Sequence, residues 1–136
     1  MRVLNNERID LWNWIEIIGV DYGSTFDRSQ YNTTIKNLQA SSDRFSIFLN
    51  HEPKRVEETA RVWNYDLQLY GHTHAGQLYP GPWIINAIYG VYGYWLTLIS
   101  WLDTRVYTTS GAGLFGPNIR LGTQNEIVTV TLNPWK

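Results

Sequence analysis

The chain contains three histidines, His51, His72 and His74, and no cysteine. Any metal ion it holds must be bound by imidazole, carboxylate or amide oxygen, because no thiolate is available. Imidazole is the commonest metal-ligating side chain and suits Zn, Mn or Fe. A single histidine at a strand end is more often a structural hydrogen-bonder than a ligand. A His-x-His pair such as His72 and His74 is more informative, and all the histidines of a chain converging on one edge more so. Gly71 lets the backbone turn sharply just before the pair, and Thr73 leaves both flanking side chains free to point into one cleft. The residues alone leave a choice between a shared centre of more than one metal and a mononuclear three-histidine site with an open position, of the lyase or hydrolase type.

The elements around the histidines predict how they meet. Residues 45–49, Phe-Ser-Ile-Phe-Leu, read as an apolar strand that ends just before His51. Pro53 suits the start of a helix running to about Trp63, with Val56, Ala60 and Trp63 at helical spacing. Residues 66–70 read as a second strand that runs into Gly71 and His72. Strand, helix and strand in so short a span predict a βαβ crossover with parallel, adjacent strands. Ligands bind at the carboxyl edge of such sheets, so His51 is expected beside His72 and His74. Elsewhere, residues 2–4 and 9–20 read as two strands joined by a turn at Asn5-Asn6-Glu7. Residues 29–40 read as a helix with Tyr31, Ile35 and Leu38 on one side. Two more strands are expected at 105–109 and 126–132, separated by a glycine-rich loop at 110–122. The fold class expected is α/β: one domain over 1–136, with a mixed sheet of about five or six strands and flanking helices.

Composition narrows the partners. The formal net charge is −1 and the basic residues are scattered singly, which argues against nucleic acid. No charged n-region precedes an apolar h-region at the start of the sequence, so no signal peptide is expected within it, and localisation stays open. Residues 75–102 carry no charge at all. Within them 83–102 has about the length of a transmembrane helix but is interrupted by Asn86, Gly90 and Gly93. Three readings are open for it: core strands with a loop, a membrane-interface surface rich in Trp and Tyr, or a spanning helix. Gly111-x-Gly113-x-x-Gly116 matches a dinucleotide-binding string, but Pro117-Asn118 follow where a helix is needed. That loop reads instead as the border of a cleft, with Arg120 as the candidate substrate-binding residue.

The segment Gly71-His72-Thr73-His74-Ala75-Gly76-Gln77 resembles the last signature of calcineurin-like metallophosphoesterases. It is most similar to the bacterial branch whose signature runs Gly-His-Thr-His-Gly-Gly-Gln. Asn50-His51-Glu52-Pro53 after an apolar strand resembles that family's preceding motif. Val3-Leu4-Asn5-Asn6-Glu7, Ile18-Gly19-Val20-Asp21, Ser110-Gly111-Ala112-Gly113 and Glu126-Ile127-Val128-Thr129-Val130 also match it. The resemblance implies one half of a four-layer αββα sandwich. It implies hydrolysis of phosphomonoesters or phosphodiesters at a dinuclear centre of Mn, Zn, Fe or similar divalent ions sharing a bridging aspartate. His51 and His72 would ligate one metal and His74 the other. Paired metals polarise the phosphoryl group and generate a hydroxide nucleophile at neutral pH.

The family's earlier motifs, Asp-x-His, Gly-Asp and Gly-Asn-His-Asp or Gly-Asn-His-Glu, do not occur here. Asn50-His51-Glu52 does not replace the third of them, because Leu49 stands where the glycine belongs and Pro53 follows. The expectation is therefore the C-terminal portion of a metallophosphoesterase domain, with at most a partial metal site and with a missing N-terminal half as a partner. The substrate would be a phosphate ester, lipid-linked if the uncharged aromatic stretch meets a membrane surface. A further reading is a non-catalytic remnant that folds and binds a partner.

Overall fold

The computed structural model describes residues 2–133. Among these, six strands form one mixed sheet: β1 (Glu7–Trp12), β2 (Ile15–Gly19), β3 (Phe45–Leu49), β4 (Leu67–Tyr70), β5 (Trp95–Ile99) and β6 (Thr104–Thr108). Their spatial order is β1-β2-β3-β4-β6-β5. The helices are α1 (Arg28–Asn37), α2 (Val56–Val62) and α3 (Gly81–Tyr89). The fold class is the one expected, and β3 and β4 pair in parallel through Ile47↔Leu67 and Leu49↔Leu69.

Pairing of β3 with β4 continues past the strands. Asn50 N–H donates to Leu69 O at 3.1 Å and Gly71 N–H to His51 O at 3.0 Å, so the two strand ends that carry histidines are laced together. The helix between them starts later than Pro53 suggests. Lys54 N–H turns back to Glu52 O at 2.8 Å, Arg55 adopts φ +57°, and only at Val56 does α2 begin. On one face α1 and α2 bury Tyr31, Ile35, Phe48, Val56, Ala60, Tyr65 and Tyr70 in a common core. That layer is cross-linked by hydrogen bonds: Tyr31 OH meets Thr59 Oγ1 at 2.5 Å and Trp63 Nε1 donates to Ile35 O at 2.6 Å. The opposite face carries a row of half-buried apolar residues, Ile17, Ile47, Leu49 and Leu69.

Several expected elements differ. Residues 2–4 form no strand. The first hairpin turns at Asn13-Trp14, between β1 and β2, instead of at Asn5-Asn6-Glu7. Residues 15–19 lack strict alternation because β2 lies inside the sheet, between β1 and β3, with four of its five residues buried and Ile17 half-buried. Residues 126–132 are not a strand either: Ile127 is 90% exposed and the segment pairs with no strand. An alternating sequence becomes a strand only where a ladder partner is present. The uncharged stretch is α3, a 3-10 turn at Gly90–Tyr92 and β5, broken where Gly90 adopts φ +60°. Among the described residues no helix is long and apolar enough to cross a membrane, so the spanning-helix reading does not hold.

Candidate metal centre

Of the three histidines, His51 and His72 meet at the carboxyl ends of β3 and β4. His72 Nδ1 lies 3.1 Å from His51 Nε2, with the rings nearly perpendicular at 79°. The Tyr22 ring packs edge-on against His51 at 4.9 Å and lies 5.9 Å from His72, walling the pair. Imidazole–metal bonds are about 2.0–2.1 Å long, so two nitrogens holding one ion at right angles to each other stand about 3.0 Å apart. The His51–His72 spacing fits two neighbouring ligands of one divalent ion.

Local backbone geometry explains how consecutive motif residues are presented. His72 has φ +70°, His74 +50°, Ala75 +51° and Gln77 +44°, a run of left-handed conformations that side chains other than glycine adopt at a cost. The strain is held by hydrogen bonds. Gln77 Nε2 donates to Phe115 O at 2.8 Å and to Pro117 O and Ile119 O at 3.1 Å, and Gln77 Oε1 accepts from Phe115 N–H at 2.6 Å. The motif thus pins itself to the glycine-rich loop.

His74 faces a different neighbour. Its Nδ1 stands 3.4 Å from Arg120 Nη2, and its ring is 6.3 Å from that of Phe115. Arg120 Nη1 donates to His74 O at 3.0 Å, and Nη2 donates to Ser110 O at 2.7 Å and Gly113 O at 2.9 Å. The sequence suggested a substrate contact for Arg120. In the fold its guanidinium is a clasp on backbone carbonyls that joins the His74 loop to residues 110–113. Among the described residues no set of three or more His, Asp or Glu side chains is grouped so as to hold a metal ion by itself. The self-contained three-histidine site is therefore not assembled there, while the His51–His72 pair is.

Electrostatics prepare the rings to act as ligands. Burial holds the His72 imidazole below its ordinary value, with the Glu52 carboxylate pulling the other way and His51 and Lys54 adding to the lowering. Burial, followed by the charge of Arg120, lowers His74 likewise. Both favour the neutral imidazole that metal binding needs.

Sequence placed Glu52 in the motif after β3 but assigned it no role in the site. Its side chain is 2% exposed, and Oε1 accepts from Tyr89 OH at 2.5 Å and from Lys54 Nζ at 2.8 Å. Burial opposes its ionisation, but those two bonds more than offset this and hold the carboxyl below the usual range. The signal available was only that a carboxylate follows His51 directly. Its main partner, Tyr89, comes from the end of α3. A cavity of about 570 Å³ borders the His74 loop at Ala75 and is lined also by Trp95, Ser110 and Glu126.

The chain is similar to curated proteins that bear the word metallophosphoesterase in their names. One from Campylobacter jejuni is 31% identical over 97% of this chain and 35% of its own length. One from Helicobacter pylori is 31% identical over 98% of this chain and 36% of its own length. One from Aquifex aeolicus is 29% identical over 96% of this chain and 50% of its own length. The chain therefore spans about a third of the length of the first two relatives. No protein-family model matches the chain, and no solved structure matches it.

Proposed function

We propose, on the support these relatives lend to the metallophosphoesterase family, that this chain supplies the histidine side of a dinuclear phosphoesterase centre. The observation that carries the reading is the 3.1 Å approach of His51 Nε2 to His72 Nδ1 at the carboxyl ends of adjacent parallel strands. In this proposal His51 and His72 hold one divalent ion and His74 contributes to the second. The ions when bound supply Lewis-acid polarisation of the phosphoryl group and a nucleophile at neutral pH. The chain's own part is to keep the His72 and His74 imidazoles neutral, to hold the histidines at the sheet edge, and to wall the site with Tyr22. Arg120 keeps His74 in place by fastening its carbonyl. The bridging carboxylate and remaining ligands would come from the portion of such proteins that this chain does not span. The row of Ile17, Ile47, Leu49 and Leu69 would then meet a second sheet.

The substrate class proposed is a phosphomonoester or phosphodiester. Exposed Trp83, Ile84, Ile88, Trp95 and Leu96 on an uncharged segment suit the headgroup level of a bilayer, which favours a lipid-linked ester. The test is turnover of bis(p-nitrophenyl) phosphate with added Mn or Zn. The 136-residue chain alone should bind one divalent ion weakly and turn over poorly. Joined to an upstream segment carrying the Asp-x-His and Gly-Asn-His motifs, it should gain metal-dependent activity that His72→Ala and His74→Ala each abolish. Robust turnover by the chain alone would overturn the shared-centre reading.

A further inference from the structure

The two nitrogens of the His72 ring face different groups. Nδ1 faces His51 Nε2 at 3.1 Å, and Nε2 faces Glu52 Oε1 at 3.8 Å. At that range the contact with Glu52 is electrostatic instead of a formed hydrogen bond. It is nevertheless a contact with a fixed charge. Glu52 is buried, and its Oε1 is held at once by Tyr89 OH from the end of α3 and by Lys54 Nζ. Its other oxygen, Oε2, is buried and has no hydrogen-bond partner. Lys54 and Tyr89 offset the cost of burying this carboxylate, and its charge lies beside the His72 ring. The nearest imidazole nitrogen is one that can carry a proton.

We propose that Glu52 is the positioning residue for His72: its carboxylate keeps the proton on Nε2, so that the Nδ1 lone pair is directed toward the metal shared with His51. The proposal rests on the metal-site reading above for the purpose it assigns to the tautomer, although the tautomer itself is a property of the metal-free chain. Metal-ligating histidines commonly direct the remaining ring N–H to a carboxylate, which fixes the ring and raises its basicity as a ligand. Tyr89 and Lys54 extend the arrangement outward, so the orientation of a ligand on β4 depends on the end of α3.

The test is the tautomer of His72 in the metal-free, ¹⁵N-labelled chain at pH 8, read from two-bond ¹H–¹⁵N correlations. His72 should carry its proton on Nε2. His51 could bias the same ring by donating from its own Nε2, so the measurement is repeated in His51→Ala, where the preference should persist. Glu52→Ala should turn His72 into a mixture of tautomers and weaken zinc binding, measured against a chelating dye, by about 10–100-fold. Glu52→Gln, which keeps an acceptor oxygen without the charge, should fall between. A proton on Nδ1 in the unaltered chain, a preference that vanishes in His51→Ala, or an unchanged tautomer in Glu52→Ala would each overturn the proposal. Should the Glu52→Ala chain fail to fold, Glu52→Gln, which keeps the shape of the side chain, decides it in the same way: an unchanged tautomer there would overturn the proposal. A chain with the proton on Nε2 that binds no zinc would sustain the role of Glu52 and count against the proposed metal centre, so the two failures are distinguishable.

Discussion

Gly76 and Gly81 lie backbone against backbone: a Cβ added to either would overlap the carbonyl group of Gly81 or of Gly76. Gly76 also has φ +79°, which a side chain adopts only with strain. This contact seats the start of α3 on the histidine loop. Through Tyr89 at the other end of α3, it also influences where Glu52 sits. Gly76→Ala must therefore move backbone. The strained φ and the overpacking together are expected to cost about 2–4 kcal/mol. Urea unfolding of the variant should show that loss, and zinc binding should weaken with it. An unchanged midpoint would mean that α3 can shift without disturbing the loop.

Ala75 sits next to that contact with φ +51°. Relief of the left-handed penalty for alanine is about 1–2 kcal/mol, offset by about 0.5–1 kcal/mol of extra backbone entropy in the unfolded chain. Ala75→Gly should consequently be neutral to stabilising, by about 0.5–1 kcal/mol, in the same unfolding experiment. A clear loss of stability would show that the methyl group makes packing contacts worth more than the strain it causes.

The centre of the fold was legible because its signals are local. The Phe45–Leu49 and Leu67–Tyr70 strands are short apolar runs bounded by loop residues, and the histidines follow them directly. What was not legible depends on partners distant in sequence. Ile15–Gly19 gives no alternation because it lies inside the sheet with all but the half-buried Ile17 buried, so the hairpin turn at Asn13-Trp14 was hidden. Residues 126–132 alternate but find no ladder. In the uncharged stretch, aromatic and β-branched residues fit helix and strand patterns alike, and the break depends on the φ of Gly90. Glu52 gains its position from Tyr89, which no short motif relates to it.

Stability should decline in two steps as pH falls. His72 and His74 are held below the ordinary histidine value of 6.5, so the unfolded chain takes up protons there before the folded one does. Stability is thus expected to be level above about pH 7 and to fall from near pH 6.5 down through the lowered values. Glu52, Glu58 and Glu126 are held below 4.5; burial opposes this in each, and hydrogen bonds to the carboxylates outweigh it. Their contribution is present above pH 4.5 and is lost as pH drops through their folded values. Urea midpoints measured in steps between about pH 3 and 8 should show both declines. A rise in stability between pH 7 and 5 would contradict the neutral state assigned to the two imidazoles.

Arg120 offers a separation between structural and catalytic roles. Its guanidinium joins the Ser110 and Gly113 carbonyls at the start of the glycine-rich loop to the carbonyl of His74. Lysine keeps the charge but not the planar fork, so Arg120→Lys cannot reach these acceptors together. Carbonyls left without a donor cost about 1–3 kcal/mol, so the variant should lose about 2–3 kcal/mol of stability in the chain without metal or substrate. The loop should also loosen, visible as faster amide exchange at residues 111–116 and at Gln77. Were Arg120 chiefly a phosphate ligand, the free chain would keep its stability, and only the KM of the completed enzyme would rise. Measuring the unfolding midpoint of the free chain beside KM in the completed enzyme therefore assigns the residue: a stability loss of the expected size supports the clasp, and a rise in KM alone refutes it.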